Sequence, residues 1–220
     1  MKITSIAYSN KLNSGKYVQL KKQAELLGVI RSEVWNRFGS IGGVEIKDRV
    51  IRDEWLKEKR NFHVSANAWK ETLRDAMDDI KAYREAAKEK VKKDLRVREP
   101  DKVLRSKFLK TLASPKWIED PYLRRKMRKH FRHGINHTFN QIVVRSDNYS
   151  VYELNGRVWI KIPGLEKGRR LAIPLKTNLP PQGTLRLILK NGCVEVHYQE
   201  NVLPGKPCGT EILGIDKGFT

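Results

Sequence analysis

The chain has 220 residues, 39% of them hydrophobic, which supports one large or two modest cores and excludes wholesale disorder. Forty-five Lys and Arg against 25 Asp and Glu give a formal net charge of +20, so polyanions are the natural partners. Anionic membrane is the weaker choice: no apolar run approaches the roughly 18 residues of a transmembrane helix, and residues 1–20 lack a signal-peptide core.

Residues 2–8 alternate with the period of two that marks a strand. From Lys16 to about Gln141 the spacing is helical. Leu20, Ala24, Leu27, Val34 and Phe38 fall near one face of a first helix that Gly39 is placed to end. A second helix, over 46–60, carries Val50, Ile51, Trp55 and Leu56. The third begins at Ser65 as N-cap and repeats Ala66, Trp69, Leu73, Ala76, Ile80, Tyr83 and Ala87 at three- and four-residue steps. Pro100 and Pro115 bound a shorter segment with Val103, Leu104, Phe108, Leu109 and Leu112. Asp120 and Pro121 then open a last helix in which Leu123, Met127, Phe131 and Ile135 face inward.

Beyond Ser146 the period is two. Residues 151–154 and 157–162 read as strands joined by the turn Asn155-Gly156, because both turn positions need positive φ. Leu185, Leu187 and Leu189, then Asn191-Gly192, then Val194, Val196 and Tyr198 form a second hairpin, with 170–175 an intervening strand. The amino-terminal strand is expected to join this sheet and close a small barrel across the helices. The fold class is therefore α+β, a small antiparallel β-barrel with an inserted α-helical bundle. The stretch 203–207, with two prolines, separates the barrel from an apolar terminal strand at 212–215.

The basic residues cluster. Lys88, Lys90, Lys92, Lys93, Arg96, Arg98, Lys102, Arg105, Lys107 and Lys110 run along the middle helices. Arg124, Arg125, Lys126, Arg128, Lys129, Arg132 and His133 crowd the last one with almost no acidic partners. A charge run is commonly just a solvated face. Here the arginines suit bidentate phosphate contacts and the helix already has an apolar face for packing, so the reading is phosphate binding without sequence readout. His130, His133 and His137 have helical metal-ligand spacing, yet the surrounding cations repel a divalent ion and favour phosphate contact or packing. Of the five tryptophans, Trp69 sits on an apolar stripe, whereas Trp159 between Val158 and Ile160 is placed to face outward. The cysteines, Cys193 and Cys208, form no CxxC pattern, which argues against a zinc ribbon or disulfide scaffold and for a reducing cytosol.

Asp216 is the candidate catalytic residue. It follows the apolar strand Ile212, Leu213 and Ile215, and Gly214 and Gly218 permit close backbone approach to the carboxylate. Two-metal phosphodiester hydrolysis needs several carboxylates to hold Mg²⁺ ions about 3.5–4 Å apart. The plainer alternative is an ordinary Asp in a strand-ending turn.

The order of parts resembles the transposon-encoded TnpB (OrfB) proteins and the miniature type V CRISPR effectors. Residues 24–31 with Val34, Trp35 and Asn36 are similar to the family's early helix, with its arginine and aromatic-Asn pair, and 64–82 to the helix that follows. Residues 212–218 resemble the first strand of a RuvC/RNase H-like nuclease domain, which makes Asp216 the first Mg²⁺-binding carboxylate. The resemblance divides the chain into a first strand of an OB-like wedge barrel (1–15), a helical recognition domain (16–145), the rest of the wedge (146–203), and a linker with the opening strand of a truncated nuclease domain (204–220). It implies a bacterial or archaeal, nucleoid-associated RNA-guided DNA endonuclease, with guide RNA and target DNA as partners and Arg31 among the nucleic-acid-binding residues. No later catalytic Glu, final Asp or paired CxxC ribbon follows. Cleavage is therefore expected only together with a carboxy-terminal nuclease half, and Mg²⁺ only in the complete enzyme. The alternative is a non-catalytic DNA- or RNA-binding protein that represses or packages. A GID strand also opens actin-like and chaperone-type ATPases, but there it usually begins the protein.

Overall fold

A computed structural model describes residues 2–166 and 168–202. Asp216 and the expected strand before it lie outside the described residues, as does Cys208. Helix α1 (Ser14–Phe38) begins where Asn13 Oδ1 accepts the Lys16 N–H at 2.8 Å and stops where the Gly39 N–H donates to the Trp35 carbonyl. It buries the expected stripe from Leu20 to Phe38 together with Gln23 and Arg31. Helix α2 (Asp48–Lys57) buries Ile51 and Trp55 and leaves Val50 and Leu56 exposed. Helix α3 (Ala66–Arg98), capped by Ser65, continues past Ala87 because Val91 and Leu95 extend the same buried stripe. Its 33 residues make a rod about 50 Å long. Helices α4 (Lys102–Ala113) and α5 (Pro121–His130), capped by Asp101 and Asp120, pack back onto it.

Helix α5 is shorter than its apolar spacing implies. Leu123 and Met127 are buried and Phe131 is the last inward residue, whereas Ile135 is 67% exposed. The chain leaves the helix because the Gly134 N–H donates to the Gly39 carbonyl at 2.9 Å and Gly134 lies against the Trp35 ring, where a side chain has no room. Asn136 then fastens the extended segment to α1, its amide donating to the Gly28 carbonyl at 3.2 Å and Ser32 Oγ at 3.0 Å.

The strands are β1 (Lys2–Tyr8), β2 (Gln141–Val144), β3 (Ser150–Leu154), β4 (Arg157–Pro163), β5 (Arg170–Pro174), β6 (Leu185–Lys190) and β7 (Cys193–Asn201). They form two antiparallel sheets, in the orders β1-β7-β6-β2 and β3-β4-β5. Both Asn-Gly hairpins form as expected, with φ of 51° and 68° at Asn155 and Gly156 and 48° and 84° at Asn191 and Gly192. The amino-terminal strand joins the sheet across the helices, from Lys2 opposite Asn201 to Tyr8 opposite Glu195. Strand β2 falls at the end of the expected helical domain (16–145), where no strand is expected. All four of its residues are buried, so it lacks the alternation that identifies a strand.

The expected closed barrel does not form among the described residues. The sheets meet at one corner, where Ser9 bridges Leu175 and the Lys176 N–H donates to the Tyr8 carbonyl at 2.7 Å. Closure would require the far edges, β2 and β3, to pair as well, but they do not, and β2 packs against α1 and α3 with all four residues buried. Their inner faces and the helix stripes share one contiguous core. No helix among the described residues is long and apolar enough to cross a membrane.

Close approach at Gly28 gives a test of this packing. A Cβ there would lie 2.5 Å from Phe139 Cδ1 and 3.0 Å from its Cα. Gly28→Ala should therefore lower stability by about 1–3 kcal/mol through overpacking, although Ala is the better helix former by about 1 kcal/mol. A urea midpoint at or above the parent's would contradict the contact.

Candidate nucleic-acid interface

Helix α5 has few ways to face. Leu123 and Met127, one turn apart, are fully buried, which turns Arg124, Arg125, Arg128 and Lys129 to solvent. No Asp or Glu occurs in the sequence between Asp120 and Asp147, so beyond the cap Asp120, one turn before Arg124, these cations have no acidic neighbour along the chain. Arg128, Lys129 and His130 occupy the last turn, where the helix dipole favours positive charge. The expectation that Arg132 and His133 belong to the helix is not met, yet both are exposed on the segment that continues it.

Arg124, Arg128, Arg132 and His133 form one wall of an open groove of about 710 Å³. The opposite wall is the tight turn after α1, with Ser40, Ile41, Gly42 and Val44, and Ile118 and Phe131 complete the lining. Cations over an apolar floor suit a sugar-phosphate chain: guanidinium forks take phosphate oxygens, and aliphatic carbons accept the sugar. At the end of α5, His130 Nε2 lies 3.4 Å from Asp94 Oδ2 on α3. That contact, with Arg98 and Lys126 nearby, holds the Asp94 carboxyl below the usual aspartate range.

The other predicted contacts divide. Lys93, Arg96 and Arg98 on α3 and Lys107 on α4 are exposed. Lys92 is half-buried and 2.6 Å from Glu89, and Arg105 donates to the Glu99 carbonyl at 3.3 Å. Lys88 is buried, with its ammonium 3.1 Å from Glu85, and is poorly placed for phosphate. Arg31 is a correction. At 3% exposure it is enclosed, donating to Asp75 at 2.6 Å and Asp79 at 3.2 Å, and its role is internal. Burial of so many atoms around a guanidinium is tolerated because the two carboxylates are on hand.

The histidines His130, His133 and His137 do not share a helix face, because α5 ends at the first of them. Among the described residues no group of three His, Cys, Asp or Glu could hold a metal. Trp69 is core, as its stripe requires, and Trp159 lies half-exposed on the outer face of β4. Sequence reasoning missed the wall from Ser40 to Val44 and the polar cluster around Asp75. That carboxylate takes Arg31 from α1, Gln141 from β2 at 3.1 Å and Arg186 from β6. Arg186, at an outward position of a leucine-rich strand, was the one legible sign that something acidic faces the sheet. No protein-family model matches the chain, and no curated protein matches it.

Asp75→Ala should strip the counter-charge from a buried guanidinium and lower stability by about 3 kcal/mol, read from urea unfolding. A loss below about 1 kcal/mol would mean that Asp79 and solvent suffice for Arg31.

Proposed function

We propose that the chain is the nucleic-acid-holding part of an RNA-guided, Mg²⁺-dependent DNA endonuclease of the TnpB or miniature type V kind. The observation that carries this reading is the row Arg124, Arg128 and Arg132, exposed along a groove with an apolar floor. Guide RNA, and the duplex it forms with target DNA, would lie against this row and the exposed cations of α3 and α4. Contacts of this type read backbone and shape while base pairing reads sequence, which is why a surface of phosphate-binding arginines suffices.

The order of elements supports the same reading. The first strand pairs with the last described one across a helical insertion, and the two sheets joined at the Ser9 corner would serve as an OB-like wedge left open on one side. Residues 212–218 would begin the RuvC-type domain. Asp216 would then supply one carboxylate to Mg²⁺, with the remaining ligands coming from the nuclease domain that this strand would open. The chain's own contribution is to bind and orient nucleic acid in a bacterial or archaeal cytoplasm.

Two outcomes test the proposal. Replacing Arg124, Arg128 and Arg132 together by Gln should weaken RNA binding and reduce the log-log salt slope by about 2–3, at about 0.7–0.9 per lost phosphate contact. A slope equal to the parent's in a folded variant rejects the groove as a phosphate site. With the nuclease domain joined, Asp216→Ala should abolish Mg²⁺-dependent cutting and leave RNA affinity unchanged. Cutting that persists would remove Asp216 from the catalytic site, and no Mg²⁺-dependent cutting by the joined parent chain would favour the alternative, a non-catalytic binding protein.

A further inference from the structure

The outer face of the β3-β4-β5 sheet carries a second feature that the arginine groove does not use. Strand pairing sets Tyr152 opposite Trp159, and their rings lie nearly parallel, 19° apart in plane with centroids 6.2 Å apart. Tyr152 is 37% exposed and Trp159 half-exposed, so the pair presents π surface to solvent. Lys16, reaching from the first turn of α1, donates to the Ala172 carbonyl at 3.0 Å and stands 5.8 Å from the Trp159 ring centroid. Arg157, Lys161 and Arg170 occupy outward positions of the same sheet and are exposed. No outward position of the three strands is acidic, since Glu153 alternates to the other face.

The geometry points to a stacking platform for an unpaired nucleobase of single-stranded RNA or DNA, with the surrounding cations taking the flanking phosphates. Each part has a separate reason. Every base has a π face, so stacking on an aromatic ring is sequence-tolerant, and outward strand positions without carboxylates admit the backbone charge. A duplex keeps its bases stacked on one another and offers this platform nothing that it does not offer the arginine groove. The indole N–H of Trp159 is enclosed and has no partner among the described residues. A tryptophan that leaves its donor unsatisfied contributes ring surface rather than a hydrogen bond. The inference rests on the nucleic-acid reading and deepens it: the groove on α5 holds backbone, and this sheet holds an unstacked base.

The probe is a short oligouridine carrying 5-bromouridine, crosslinked by ultraviolet light to the whole chain and mapped by mass spectrometry. Crosslinks at Tyr152 or Trp159 are expected. Tyr152→Ala, at an exposed position, should lower affinity for the unmodified single strand at least about fivefold while leaving both its salt slope and the affinity for a matched duplex unchanged. Trp159→Phe, which keeps a ring, should retain most of the affinity. Crosslinks confined to α3, α4 and α5 overturn the platform, as does an equal loss for duplex and single strand. Binding of anionic phospholipid vesicles that depends on Tyr152, with no crosslink to oligouridine, overturns it in favour of a membrane surface. The two readings fail separately: loss of the arginine groove's salt signature leaves the crosslink position unaffected, and absence of the crosslink leaves that signature in place.

Discussion

One carboxylate ties the helices to the sheet. Asp75, in the first half of α3, accepts from Arg31 on α1, Gln141 on β2 and Arg186 on β6, so four elements meet at a single side chain. Its value lies less in net stability than in register. A buried ion pair returns little beyond the cost of taking its charges out of water, but breaking it strands the partner. Sliding α3 by one residue along the sheet would strand Arg31. The long helix is therefore fixed near one end, and because it is a rod, whatever packs along it is fixed too.

What packs along it is the basic surface. Tyr83 on α3 meets Phe131 at 5.3 Å and Trp35 of α1 at 6.0 Å, which brings α1, α3 and the end of α5 into one aromatic row. Charge is partitioned along with packing. Many carboxylates of the first three helices are engaged internally: Glu33 with Arg60 at 2.6 Å, Glu54 with Arg37 at 2.9 Å, Asp75 and Asp79 with Arg31. Helix α5 has none to spend. The positive excess of the chain thus stands out on α5, whose Arg124, Arg125, Arg128 and Lys129 are exposed to a polyanion.

The sequence made some of this plain and hid the rest for physical reasons. Helices α1 and α3 could be read because a single face is buried at a period of 3.6, and Ser65 and Asp120 mark starts by the hydrogen bonds they accept. Both Asn-Gly turns were legible because few residues tolerate positive φ twice in succession. Strand β2 was not, being buried on both faces. Ile135 was misplaced because the spacing of apolar residues says nothing of Gly134, whose contact with Trp35 is almost a hundred positions away in sequence. The resemblance gives Arg31 to nucleic acid, and its internal role was not legible because its partners lie on another helix. Barrel closure failed as an expectation for the same reason: hairpins are local, whereas which sheet edges meet depends on what else covers them.

The same Gly134 contact has a consequence for binding. It joins the segment after α5 to the residue that ends α1, through the bond from Gly134 to Gly39 with Trp35 packed against both glycines. Ser40 to Val44 follow Gly39 directly, and Arg132 and His133 precede Gly134, so both walls of the groove start from one backbone hydrogen bond. The walls cannot separate at that end without breaking it and opening the glycine contact. A groove joined this way has one end fixed before ligand arrives. Long arginine side chains still lose rotamer freedom on binding, but the backbone that carries them does not have to be ordered, and that saving goes into affinity for any strand of the right width whatever its sequence.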